Sequence, residues 1–227
     1  MAWIRLHISM AILLAWALRP AAAQDPAQVS PNAYKVEIDN AWVRVLRAKL
    51  SPHEKAPMHE HPASVVVYLT DLHERVTGAD GKVQEVTHKA GEVAYRDAAK
   101  HSEENLSDQP LEAVLVELKP GAPKAQLPPD APDPVQVDPQ HVTVPLENER
   151  VRVLHTVLEP HRKGPMHRHS SYVVVYLTEL HTKMTLADGR TVDNPRKPGE
   201  LAWRDAYQHQ SENVGDRTAA EIQIELK

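Results

Sequence analysis

Two stretches of this chain carry the side chains best suited to chemistry. One reads Pro57-Met58-His59-Glu60-His61, then Val65-Val66-Val67-Tyr68-Leu69-Thr70. The other reads Pro165-Met166-His167-Arg168-His169, then Val173-Val174-Val175-Tyr176-Leu177-Thr178. Alternate residues of a strand share a face about 6.6 Å apart, so His59 projects with His61, and His167 with His169. Two such imidazoles can share one metal ion at ~2.0–2.1 Å each. A third ligand must come from a second strand. His101-Ser102-Glu103-Glu104-Asn105 and His209-Gln210-Ser211-Glu212-Asn213 share the spacing His-x-x-x-Asn, which puts His and Asn on one face. His101 and His209 can therefore ligate while Asn105 and Asn213 buttress the site or its ligand. Glu104 and Glu212 alternate away from that face and are not counted as ligands.

The elements that must position these residues occur twice. Asn40–Lys119 aligns with Asn148–Lys227 without a gap, and roughly half the aligned residues are identical. Solenoid repeats have periods of about 20–50 residues, so this is a duplicated domain. His53, His59, His61, His73 and His101 recur as His161, His167, His169, His181 and His209, ten of the fourteen histidines. That retention favours a metal-binding role; simple carry-over from a recent duplication is the plainer alternative. Trp42–Leu50 alternates as a strand, and the β-branched run Val65–Thr70 reads as a strand buried on both faces. Ala79-Asp80-Gly81 is a hairpin signal that predicts a type I′ turn. Gly91 marks a turn before a strand at Glu92–Tyr95, Val114–Leu118 closes the first copy, and Ile222, Ile224 and Leu226 close the second. No long 3.6-period stretch interrupts either copy. The class is all-β, a sandwich or barrel.

Net charge is −5 and no basic stripe appears, so a nucleic-acid partner is not expected. Cysteine and phenylalanine are absent, so stability must come from cores of Val, Leu, Ile and Ala without disulfides. Met1–Ala23 reads as a signal peptide: Arg5, an apolar run at Ile8–Leu18, then Ala21-Ala22-Ala23 before Gln24. The run is shorter than the ~20 residues of a membrane span, so a soluble periplasmic or secreted protein without a membrane partner is expected. What remains suffices for two domains of roughly 100 residues each, assigned to 24–119 and 141–227. Between them, 120–140 is dense in proline (Pro120, Pro123, Pro128, Pro129, Pro132, Pro134, Pro139) and reads as an extended, polyproline-like linker. With such a spacer, and a core in each copy, the two domains are expected to couple only modestly.

The order His-x-His, valine-rich strand, Gly-acidic, His-x-x-x-Asn resembles the two motifs of the cupin superfamily. The two copies together resemble a bicupin over Asn40–Lys119 and Asn148–Lys227. The resemblance implies two tandem double-sheet, jelly-roll-like β-barrels, many of which hold a metal through three His and one Glu. By position, His59, His61 and His101 match the histidine ligands of one site, and His167, His169 and His209 those of the other. The glutamate slot falls on Val65/Val66 and Val173/Val174, so neither copy carries that carboxylate. The glycine expected six residues before the first His is His53 or His161, and Asp97/Ala99 or Asp205/Tyr207 alter the loop before the third.

Three-His sites for a divalent transition metal (Fe, Zn, Mn, Cu or Ni) are therefore expected. A neutral donor set leaves coordination positions open for water, oxygen or substrate, and some non-haem iron dioxygenases of the superfamily lack the Glu. Arg96-Asp97 and Arg204-Asp205 are candidate outer groups, Arg for a carboxylate substrate and Asp to orient it or a His N–H. A plain ion pair on a surface loop is the competing reading. Tyr68/Tyr176 and Met58/Met166 can line a cavity or fill a core; His53/His161 and His73/His181 fit turns or strand ends. The function expected is an exported metal-binding bicupin, as a dioxygenase-like enzyme on a small polar or anionic molecule. The alternative is a non-catalytic small-ligand-binding or structural cupin, and homo-oligomers are compatible with either. For the exported protein, intact-mass measurement is expected to give a chain beginning at Gln24.

Overall fold

The computed structural model describes residues 24–123 and 131–227. The expected signal segment 1–23, and 124–130 of the proline-rich stretch, lie outside the described residues. The first repeat has a short helix α1 (Pro26–Val29) and two antiparallel sheets. Its five-stranded sheet runs β1 (Tyr34–Asp39), β2 (Val43–Leu50), β9 (Leu111–Leu118), β4 (Ser64–Tyr68), β7 (Val93–Arg96). Its four-stranded sheet runs β3 (Lys55–His61), β8 (Ala99–Asn105), β5 (Leu72–Gly78), β6 (Val83–His88).

The second repeat copies this order. After α2 (Pro134–Val137), five strands run β10 (Val142–Glu147), β11 (Val151–Leu158), β18 (Ala219–Leu226), β13 (Tyr172–Tyr176), β16 (Leu201–Arg204). Four more run β12 (His167–His169), β17 (Tyr207–Asn213), β14 (Leu180–Leu186), β15 (Thr191–Arg196). The expected all-β tandem fold is what forms, as paired sheets; among the described residues neither pair closes into a hydrogen-bonded barrel.

Alternation explains how the five-stranded sheets are used. Val66 and Tyr68 turn into their own repeat, with Leu46, Ala48 and Leu115. Val65, Val67, Val114 and Val116 turn the other way and pack with Val153, Val173, Ile222 and Ile224 of the second repeat in one apolar cluster. The valine-rich strand is thus buried on both faces, as expected. The expectation of modest coupling is corrected, because a sheet with two apolar faces can cover only one within its own repeat. The other must be covered by the second copy. At the edge of this interface Arg47 donates to the Gly199 carbonyl at 2.6 Å, and Arg150 to the Lys119 carbonyl at 2.7 Å.

Two local expectations also change. Residues 134–137 are helical rather than extended: Pro134 opens α2, where its fixed φ suits a first helical position, and Asp133 Oδ1 accepts from Val135 N at 3.0 Å. Asp25 caps α1 in the same way, accepting from Ala27 N at 2.9 Å, so the structural repeat begins upstream of Asn40 and Asn148. At the β5–β6 hairpin only Gly81 has positive φ (+80°). Gly81 N donates to Gly78 O, and Gly78 N to Lys82 O, at 2.9 Å each. This is a type I turn with a glycine bulge rather than type I′, since Asp80 is spared the left-handed region.

Ile224→Ala, which hollows the shared core, is expected to cost roughly 2–5 kcal/mol. It should lower the melting of both repeats together as one calorimetric transition. Two resolved transitions would show that the repeats unfold independently.

Candidate metal centres

Strand register assembles both histidine triads. β3 pairs with β8 so that His59 lies opposite His101 and His61 opposite Ala99. β12 pairs with β17 so that His167 lies opposite His209 and His169 opposite Tyr207. The third histidine therefore comes from the neighbouring strand of the same sheet. In each triad the ligand nitrogens all lie within 4.8 Å of one another. His59, His61, His169 and His209 are buried.

The outer nitrogens decide the chemistry of the inner ones. His59 Nδ1 donates to the Pro57 carbonyl at 2.7 Å, and His167 Nδ1 to the Pro165 carbonyl at 2.9 Å. His61 Nδ1 meets Glu117 Oε1 at 2.7 Å and His169 Nδ1 meets Glu225 Oε1 at 2.8 Å. With the proton on Nδ1, each of these four rings turns a lone pair on Nε2 toward the centre. His167 Nε2 is 3.0 Å from both His169 Nε2 and His209 Nε2. Among the described residues, His61 Nε2 is buried without a partner. Lone pairs gathered this closely repel unless a cation lies among them, so the residues fit a divalent transition metal. Burial also lowers the pKa of His59 and His167, and holds His169 and His209 well below the usual histidine value. The neutral, ligating forms are favoured.

The carboxylates on the second histidines escaped the sequence reading. Glu117 Oε2 lies 3.3 Å from Arg44 Nη1, and Arg44 Nη2 lies 2.8 Å from Asp25, the cap of α1. The second copy has Glu225, Arg152 and Asp133 at the matching positions; there Arg152 donates to both oxygens of Asp133, at 2.5 and 3.1 Å. Burial raises the Glu225 pKa to about 7 against the opposing pull of Arg152. The signal was available: Asp25, Arg44 and Glu117 recur at the repeat offset as Asp133, Arg152 and Glu225.

Around these similar triads the two interiors differ. The first holds a cavity of about 320 Å³, bounded by Tyr34, Val66, Tyr68, Glu74, Arg96 and Glu103 among others. Beside the second triad the cavity is about 40 Å³. Ser64, Val76 and Ala99 of the first repeat are replaced by Tyr172, Met184 and Tyr207. The hydroxyls of Tyr172 and Tyr207 meet at 2.9 Å, and their rings lie 5.0 Å from His169 and 4.6 Å from His209. Those side chains fill the space.

The first cavity also contains two carboxyls that the second replaces with Thr182 and Ser211. Tyr34 donates to Glu103 Oε1, and its oxygen lies 3.2 Å from His59 Nε2. One phenol proton cannot serve both, so His59 Nε2 keeps a free lone pair. Glu103 Oε2 is 3.7 Å from His101 Nε2. Burial, then the nearby Glu103, raises the Glu74 pKa to about 8. Burial pushes Glu103 the same way, but His101 and Tyr34 hold it below the usual value. Arg96 donates to the Tyr68 hydroxyl at 3.0 Å and lies 3.0 Å from His88 Nε2. Glu103 shares a strand face with His101 and Asn105, and the alternation that set Glu104 aside should have found it. Glu104 indeed turns away, to Lys55 and Arg75.

Asn105 and Asn213 are buried but do not touch the imidazoles. Asn105 Nδ2 donates to the carbonyls of Leu50, Ser51 and Gln109, and Asn213 Nδ2 to those of Leu158, Glu159 and Arg217. They tie turns. Asp97 borders the first cavity, whereas Asp205 accepts from the Trp203 indole at 3.0 Å and Arg204 donates to Asn194 at 3.3 Å. Among the described residues neither Arg-Asp pair forms an ion pair. His53 and His161 hold the left-handed conformation (φ 60° and 59°) that explains the glycine of the pattern. Each lies near an aspartate, Asp108 at 3.0 Å and Asp216 at 3.2 Å.

No protein-family model and no curated protein matches the chain. Among solved structures it is similar to AerE from Microcystis aeruginosa, with 11% identity, 86% of this chain and 97% of that one covered, and a TM-score of 0.61. It is similar to oxalate decarboxylase from Bacillus subtilis, with 13% identity, 89% and 70% covered, and a TM-score of 0.58. The formate complex of oxalate decarboxylase from Lactobacillus farciminis gives 14% identity, 86% and 84% covered, and a TM-score of 0.57. At these identities the likeness is one of fold.

A carboxyl raised from 4.5 to about 8 holds a proton that the unfolded chain has lost, so Glu74 makes stability fall as pH rises between those values. In metal-free protein, Glu74→Gln is therefore expected to raise the melting temperature at pH 8 and leave it nearly unchanged at pH 5. Equal shifts at both pH values would show that Glu74 is not the titrating group.

Proposed function

Since the chain carries two cupin folds in tandem, we propose that it is an exported metal-dependent enzyme whose first repeat acts on a small carboxylate. The observation that carries this reading is the cavity of about 320 Å³, where His61 and His101 of the triad share a largely apolar space with Glu74, Glu103 and Arg96. His59, His61 and His101 would hold the metal. When bound, such an ion supplies a Lewis acid with open positions for substrate and, if redox-active, for dioxygen. Arg96 offers a guanidinium to a substrate carboxylate. Glu74, protonated at neutral pH, can donate a proton to the substrate. Val66, Val76, Leu72 and Leu115 form the apolar part of its wall.

His167, His169 and His209 would hold a second ion in a closed centre, because Tyr172, Tyr207 and Met184 leave no room for more than water. Its role is then structural. The small carboxylates in the names of two similar structures, oxalate and formate, agree with Arg96 in setting the substrate class. Export to the periplasm or medium follows from the signal-like Met1–Ala23.

Purified mature protein is expected to bind up to two Fe(II) or Mn(II) ions. The loaded protein, screened with short mono- and dicarboxylates, should consume dioxygen and convert at least one of them. Arg96→Leu should lower kcat/KM by about 10–100-fold, the loss of one charged hydrogen bond. A chain that binds a carboxylate without turnover under every metal would be a binding protein instead.

A further inference from the structure

The cupin pattern's carboxylate slot is Val66, which faces the first interior but has no ligating atom. The same interior receives a carboxylate from another strand. We propose that Glu103, on β8 with the third histidine, is a fourth ligand of the first centre. The chain then holds two chemically different centres, three His plus a carboxylate in the first repeat and three His in the second. This rests on the metal-binding reading of the triads.

The carboxylate is divided in a way that suits ligation. Oε1 is anchored by the Tyr34 hydroxyl, while Oε2 faces His101 Nε2 at 3.7 Å. Ligand atoms about 2.0–2.1 Å from a tetrahedral ion lie about 3.3–3.4 Å from one another; Glu103 stands outside the group of nitrogens that lie within 4.8 Å of one another, so ligation requires its side chain to swing toward them from its place beside His101. Among the described residues, the basic group paired with Glu103 is His101 alone. A buried carboxylate without an Arg or Lys opposite it is costly, and a divalent ion between the two would remove that cost. It would also leave part of the ion's charge neutralised, which a three-His set cannot do.

The second repeat supplies the contrast. Its counterparts to Tyr34 and Glu103 are Val142 and Ser211. The anchoring hydroxyl and the carboxylate are thus absent together, as expected of two residues that act as one device. A carboxylate oxygen favours harder ions than imidazole alone does, so the first centre should prefer Mn(II) and Fe(II) more strongly than the second.

The test uses metal-free full-length protein titrated with Mn(II), free ion being read by electron paramagnetic resonance. Wild type is expected to show two classes of site. Glu103→Gln, which keeps the shape of the side chain and its contact with Tyr34, should weaken the first class by about 10–100-fold. The second class should be unchanged, and Tyr34→Phe should have a smaller effect on the first. Infrared difference spectra of wild type on adding the first equivalent provide a measurement that needs no variant. A carboxylate stretch should shift, and the shift should vanish in a folded Glu103→Gln protein. First-class binding of wild-type strength in Glu103→Gln, or no carboxylate shift in wild type, overturns the proposal. Failure of the metal reading itself would look different: wild type would bind no Mn(II), or His59→Ala would bind as wild type does.

Discussion

Everything at the two centres depends on which nitrogen of each histidine carries the proton. A backbone carbonyl claims Nδ1 of the first histidine of each pair and a buried glutamate claims Nδ1 of the second. Each Nε2 is left as a lone pair aimed at the others. The glutamates are themselves held inside the fold, since Glu117 and Glu225 lie on the strands that join the middle of each five-stranded sheet. Arg44 links Glu117 to the aspartate that caps α1, and Arg152 meets the matching cap of α2. Ligand orientation is thus tied to packing several strands away.

The same sheets fasten the repeats to each other. One face of each encloses its own triad, and the other enters the shared cluster of Val, Leu and Ile. Removing either repeat would expose a broad apolar surface on the other, which water would penalise. The duplication is therefore part of the folding unit as well as of its history.

Within that common frame the repeats have diverged where space is controlled rather than where ligands are placed. The first and third rings lie 4.7 Å apart in both triads, although the second and third stack at 28° in the first triad and meet at 79° in the second. The interiors do not agree, because a serine, a valine and an alanine in one repeat correspond to two tyrosines and a methionine in the other. Volume decides accessibility, and buried carboxyls decide what chemistry an accessible space can perform. Only the first repeat combines both.

The sequence by itself determined the duplication, the all-β class, the double burial of the valine-rich strand and the membership of both triads. Each of these depends on local period: two residues per strand repeat and one constant offset between copies. Tertiary structure decided the rest. That His101 would face His59 is a matter of register. That Glu117 would reach His61, and Tyr34 would reach Glu103, depends on strands far apart in the chain. The filling of the second interior by Tyr172 and Tyr207 depends on side chains from two sheets meeting hydroxyl to hydroxyl. Asn105 showed the limit of pattern reading: it lies on the histidine's strand face, yet its amide is consumed by the carbonyls of Leu50, Ser51 and Gln109. Alternation tells which face a residue takes, whereas only the packed fold tells what stands opposite it.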